Sequence, residues 1–194
     1  MKVLAGPRVD LDPAGAAARL CKRLAGDDGQ VVSLATLGLP NLYRRLSAAE
    51  VEALRGALRG ETGLVGYVCR GVVPVGSRVE AAGPGTIGVV AVTDHVNLAW
   101  RSPLTGPNDD RVGPRFPSMD GTYAPVPVLT PGGEEDGMIV VRGVVAGVPD
   151  DRAMSECETE MVARFGWVAA SSELVAPVIV AAHMGLRVAA VVIV

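Results

Sequence analysis

Aromatic residues are scarce in this 194-residue chain, which holds two Phe, two Trp and three Tyr. That is too few to build a stacking platform for single-stranded nucleic acid. A basic excess is missing too: 18 Lys and Arg stand against 21 Asp and Glu, a formal net charge of -3. Without a positive field there is nothing to condense on a phosphate backbone, so no nucleic-acid partner is expected. The three cysteines, Cys21, Cys69 and Cys157, are odd in number and far apart, with no Cys-x-x-Cys pair. His95 and His183 have no cysteine or carboxylate at ligand spacing, so no metal site is expected. Buried thiols in a reducing compartment follow, and a cytoplasmic location with them. The first residues, MKVLAGPRVDLDP, lack the apolar core of a secretory signal. The one long apolar stretch, Val175 to Val194, carries Pro177, His183 and Arg187. Those residues are costly in hydrocarbon, so it reads as a helix followed by a buried strand, and no membrane partner is expected.

What the chain does have is apolar content and punctuation. Hydrophobic residues make up 49% and charged residues 20%, enough for a core in one domain without staples. The 24 glycines and 14 prolines are spread among Val and Ala runs, which predicts many short strands and turns. Asp12 to Leu24 reads as a helix capped by Asp12 with Pro13 in its first turn. Gln30 to Leu37 reads as a strand. Ser47 with Glu50, and Ser155 with Glu158, have the spacing of capping boxes that open two further helices. Leu64–Cys69, Gly85–Thr93, Met138–Ala146, Trp167–Ala170 and Leu186–Val194 read as strands, and Ala176–His183 as a helix ended by Gly185. Between His95 and Pro131, seven prolines break any regular pattern, and an irregular stretch of that length is usually functional or an interface. Strands alternating with helices predict an α/β fold with a mixed or mostly parallel sheet, in a single domain over residues 1–194. Residues 1–29 form a divergent N-terminal helix region.

Three segments carry a resemblance. VVAVTDHVNLAWRSPLTGPNDDRVGPRFPSMDGTY has the strand, the Asp-His-x-Asn-Leu turn, the Pro-Leu-x-Gly-Pro-Asn-Asp loop and the Arg-Phe-Pro-x-Met element, in order, of the trimeric purine nucleoside phosphorylase family. APVIVAAHMGLRVAAVVIV is similar to that family's helix leading into a sheet strand, and Ser155-Glu156-Cys157 resembles its helix start after the base-binding loop. LGLPNLYRRLSAAEVEAL more weakly resembles the Gly-Arg-x-His-x-Tyr-Glu-Gly loop and the helix after it. The resemblance implies a nucleoside-phosphorylase-like mixed sheet flanked by helices, truncated at both ends. It also implies a protein of N-glycosidic bond chemistry on purine nucleosides, with phosphate as nucleophile, assembled as a trimer.

The same alignment shows departures. The Gly-Ser-Gly-Leu-Gly phosphate loop has no counterpart in residues 1–30; the phosphate-binding Arg and His fall on Leu39 and Asn41, and only Tyr43 is kept there. The Asn-Ala-Ala-Gly-Gly turn reads Val68 to Val72. Arg152 stands at the purine-binding Glu, and Glu173 at the Ser of the Gly-Met-Ser turn, where it directs a carboxylate at the phosphate site. Two like charges at 4 Å repel by about 1 kcal/mol even in water.

The reading is therefore a family member that binds or acts on a nucleoside or nucleobase, with its own phosphate and base sites degenerate. It works as a homo-oligomer or as a hetero-oligomer with a competent homologue. No cofactor is expected, and phosphate as co-substrate is in doubt. Tyr43, Phe116 and Arg152 are the substrate-binding candidates. Glu173 and Asp151 are the weak catalytic candidates for a rival reading, a phosphate-independent nucleoside hydrolase or ribosyl transferase, in which they act as general base or cation stabiliser. A further alternative is a non-catalytic subunit that completes a homologue's pocket. A third reading is a decayed product whose final strand, with no closing helix, leaves apolar surface exposed. The bland readings give Asp94 and His95 an architectural role. Asn108 and Asp109 then hold turns, His183 is a satisfied core histidine, and Glu134, Glu135 and Asp136 form a solvated tip.

Overall fold

The computed structural model describes residues 1–39, 46–74, 77, 86–126, 129, 134–135 and 137–194. Among the described residues, eight strands form one mixed sheet: β1 (Val3–Ala5), β2 (Val31–Ser33), β3 (Leu64–Arg70), β4 (Ile87–Asn97), β5 (Glu134–Glu135), β6 (Met138–Gly147), β7 (Ala169–Ser171) and β8 (Arg187–Ile193). The described helices that accompany them are α1 (Ala16–Ala25), α2 (Ala48–Leu58), α3 (Glu156–Arg164) and α4 (Val175–His183). The strand order is β2-β1-β3-β8-β4-β6-β5, with β7 also on β6. Strands β2, β1, β3 and β8 run parallel to one another, β4 is antiparallel to β8, and β6 and β7 run parallel to β4. Just past β3, Val72 exchanges both backbone hydrogen bonds with Ala170 of β7, at 2.8 and 2.9 Å. The path β3-β8-β4-β6-β7 thus returns to its start as a closed ring, with β1 and β2 extending from it.

Period-two alternation sorts the inner strands onto two faces. Val65, Tyr67 and Cys69 of β3, Val90 and Val92 of β4, and Val188, Ala190 and Val192 of β8 share one core with α2 and α4. Val68, Val89, Ala91, Ala189, Val191 and Ile193 point the other way, into a core with Leu20, Cys21 and Leu24 of α1. Both faces are covered, which is why these strands read as near-continuous apolar runs.

The two capping boxes form as their spacing predicts, with Ser47 and Ser155 accepting from the Glu50 and Glu158 N–H groups and each Glu closing back on its Ser. Other expectations need correction. Helix α1 begins at Ala16 with Gly15 as N-cap, because the Asp12 carboxylate instead accepts from the Ala14 N–H in a local turn. The strand expected over Gln30–Leu37 stops at Ser33, and residues 34–38 are turn. Strand β4 runs on through Asp94 and His95 to Asn97 after a register shift, past the point where the prolines suggested a break. Residues 1–29 are more than a helix region, since β1 sits between β2 and β3. The backbone of Glu134 and Glu135 forms a short strand paired with β6, next to a turn at Gly137; Asp136 lies outside the described residues. Cys157 is exposed, unlike Cys21 and Cys69. The final strand exposes no apolar surface: β8 lies between β3 and β4, and Val188 to Ile193 are at most 1% exposed.

Candidate functional site

Strands β1 and β3 are parallel neighbours, so their C-terminal ends share one edge of the sheet, and the bridge from Val72 to Ala170 brings the end of β7 to the same place. Three short segments meet there: Gly6-Pro7-Arg8, Cys69-Arg70-Gly71 and Ser171-Ser172-Glu173. A fourth, the loop after β6, supplies Asp151. Arg8 joins them. Its Nε donates to Glu173 Oε1 at 2.6 Å, and its Nη2 to Asp151 Oδ2 at 2.8 Å, with longer bonds to the Arg70 carbonyl and Ser172 Oγ.

The remaining carboxylate oxygens are also engaged. Glu173 Oε2 accepts from the Arg70 N–H at 3.2 Å, and Asp151 Oδ1 from Ser172 Oγ at 2.7 Å. Ser171 Oγ donates to the Arg70 carbonyl and accepts from the Glu173 N–H, while the Tyr67 hydroxyl donates to the Glu173 carbonyl at 2.7 Å. Glu173 and Asp151 are 2% and 3% exposed. Carboxylates buried that deeply demand a cation, and one guanidinium serves both. Burial alone lowers the Arg8 pKa, but the bond to Asp151 and the charge of Glu173 outweigh it and raise the value overall. Burial also pushes the Tyr67 hydroxyl and the Cys69 thiol up, with the Glu173 charge adding to both, so neither ionises near neutral pH.

The structure therefore brings Glu173 and Asp151 together, as the two carboxylate candidates of one network. Arg152 is not part of it: the side chain turns outward and pairs with Asp150 at 3.2 Å. Phe116 is elsewhere as well, 85% exposed on the irregular segment after β4, with the Arg115 guanidinium 5.7 Å from its ring centroid. Tyr43 lies outside the described residues. Arg8, Ser172 and the Arg70 N–H are site groups that the sequence reading missed. Their signal was absent from the sequence: Asp151 sits between Asp150 and Arg152 and Glu173 follows Ser171-Ser172, so neither acid reads as buried. Among the described residues no group of three or more His, Cys, Asp or Glu is placed to hold a metal ion. Nor is any described helix long and apolar enough to cross a membrane.

The second polar centre is architectural. His183, fully buried at the end of α4, faces Asn108 Oδ1 at 3.2 Å through Nε2 and Arg55 Nη2 of α2 at 3.4 Å through Nδ1. Because Arg55 can only donate, Nδ1 is the acceptor and Nε2 carries the proton. Asn108 also donates to Asp110 and to the Gly113 carbonyl, and Asp109 accepts from the Arg111 N–H, so this Asn-Asp pair does hold the turn. His95 Nδ1 lies 2.7 Å from the Tyr123 hydroxyl, and no nucleophile accompanies it in that contact.

A ring-closed mixed sheet flanked by helices, with loops converging on a polar network at the strand ends, defines an α/β protein with its candidate site at the sheet's C-terminal edge. The family model described as the phosphorylase superfamily matches residues 75–194, and the chain belongs to that superfamily. It is 32% identical over 109 residues to purine nucleoside phosphorylase of Bos taurus, a match covering 52% of this chain and 37% of the relative. It is 32% identical over 111 residues to purine nucleoside phosphorylase 1 of Geobacillus stearothermophilus, covering 56% and 40%. The matched region thus spans well under half the length of these curated relatives. Among solved structures, the Schistosoma mansoni purine nucleoside phosphorylase in complex with inosine superposes with a TM-score of 0.63 at 14% identity, covering 98% of this chain and 74% of that one. The same fold is found in the schistosoma enzyme in complex with hypoxanthine, with a TM-score of 0.63 at 16% identity.

Proposed function

We propose that this chain binds a purine nucleoside or nucleobase and serves N-glycosidic bond chemistry without a phosphate site of its own, as part of an oligomer. One observation carries the reading. The segments that stand at the family's Asn-Ala-Ala-Gly-Gly and Gly-Met-Ser turns, at the end of β3 and at Ser171–Glu173, converge with the end of β1 on a network already filled by the Glu173 carboxylate and its Arg8 counter-ion. The relatives and structural neighbours are purine nucleoside phosphorylases, two of the latter with inosine or hypoxanthine bound, which supports the ligand class. The exposed Phe116, on a segment pinned by Asn108 and His183, supports assembly with a second copy or a homologue whose pocket it reaches.

The hydrolytic alternative requires Glu173 or Asp151 to act as general base. Both carboxylates are buried, at 2% and 3% exposure, and bonded through both oxygens within the network, so neither is presented to a water and a substrate. The binding reading is therefore favoured. Calorimetric titration with inosine, adenosine and hypoxanthine, with and without phosphate, tests it. Binding that is the same in both buffers is the expected result; silence with every ligand overturns it.

A further inference from the structure

Glu173 is held the way a free anion would be. Its two oxygens rest on two different donors from distant parts of the chain, the Arg8 guanidinium at 2.6 Å and the Arg70 backbone N–H at 3.2 Å. Space has been left for it: a Cβ on Gly6 would stand 2.7 Å from Glu173 Oε2 and 3.1 Å from the Cys69 side chain. A guanidinium edge and a backbone N–H that converge in this way suit a tetrahedral oxyanion as well as a carboxylate. With Asp151 on the far side of Arg8, the network carries two negative charges against one positive. A further anion is then excluded twice, by volume and by charge.

We infer that Glu173 is a tethered internal anion filling an oxyanion seat made by Arg8 and the Arg70 N–H, and that it bars inorganic phosphate or sulfate from that seat. This deepens the proposed function by naming the residue that sets phosphate independence, and it rests on that reading for its significance but not for its test.

The test needs no nucleoside. Glu173→Ser empties the seat while Arg8 keeps Asp151 as partner; Glu173→Gln removes the charge but leaves the seat occupied. Phosphate and sulfate are titrated calorimetrically, and thermal midpoints are compared with chloride at equal ionic strength. The wild type and Glu173→Gln are expected to show no anion-specific effect. Glu173→Ser is expected to bind phosphate and sulfate in the millimolar range, and Glu173→Ser with Asp151→Asn at least tenfold more tightly. Adding Arg8→Gln to Glu173→Ser is expected to abolish binding. Phosphate binding to the wild type, or a folded Glu173→Ser variant that responds no more to phosphate than to chloride, overturns the inference. So does a loss of affinity on adding Asp151→Asn. Failure of the nucleoside titration would overturn the proposed function and leave this result standing.

Discussion

Arg8 is the residue on which the site depends. Removing one partner from a buried ion pair leaves an uncompensated charge, a loss of about 3–5 kcal/mol in typical cases. Arg8→Gln strands two carboxylates, moderated by the partial exposure of the Arg8 side chain, so a loss of about 3 kcal/mol is expected in urea denaturation at neutral pH. An Arg8→Gln variant with an unchanged urea midpoint would contradict it. His183 carries a pH dependence of its own. Burial first, and then the Arg55 charge, lower its pKa from 6.5, and burial lowers that of His95 as well. The unfolded chain therefore binds more protons in that range, so the stability held by neutral His183 is complete above pH 6.5 and is lost as pH falls from there through the lowered folded value. In His183→Gln the thermal midpoint should fall less steeply between pH 6.5 and 5 than in the wild type, with His95 still contributing to the slope.

At the scale of elements, the local signals were legible and the long-range ones were not. Ser47 with Glu50 and Ser155 with Glu158 mark their helices because a capping box is complete within four residues. Helix α3 buries only Val162, so it leans on its cap more than α2 does, which buries Val51, Leu54 and Leu58. Ser155→Ala is expected to cost about 1 kcal/mol and to raise amide exchange throughout α3. Strand β1 went unread because Val3-Leu4-Ala5 is too short to show a period and is followed directly by Gly-Pro. Arg8 went unread because its partners lie 143 and 165 residues away, and spacing along a sequence says nothing at that separation. The segment from Trp100 to Met119 was legible as irregular, since proline forbids helix and sheet, but its anchor was not. At Gly113 a Cβ would fall 1.8 Å from the His183 carbonyl oxygen, a backbone atom that cannot step aside. Gly113→Ala should therefore cost about 2–3 kcal/mol and release the segment, read as increased proteolysis between residues 100 and 119.

For the whole molecule, the sequence pattern already defined an α/β sheet flanked by helices, and the resemblance defined its kind. Closure of the ring through Val72 and Ala170 depends on two single residues and has no sequence signature. The proposed assembly is also argued at this scale. Trp100, with a positive φ of 52°, and Phe116 are 88% and 85% exposed on the same irregular segment. Sedimentation is expected to show an oligomer, alone or with a competent homologue, that dissociates when Phe116→Ser and Trp100→Ser are combined; a monomer under both conditions would refute the assembly.

The way the ring and its ion network are stitched also bears on how quickly the chain reaches its native state. Strand β3 finds its parallel neighbour β8 more than a hundred residues later, and Arg8 has no counter-charge until the last quarter of the chain is in place. Each such contact requires a long loop to close before any interaction rewards it, so folding should be slow, on the order of milliseconds to seconds. With partners 143 and 165 residues away, the Arg8 bonds are expected to form in the final consolidation and not in the nucleus. Substitution there should accelerate unfolding while leaving the refolding rate almost unchanged. The charge network would then act chiefly as a latch on the finished fold, setting how long the molecule persists once formed.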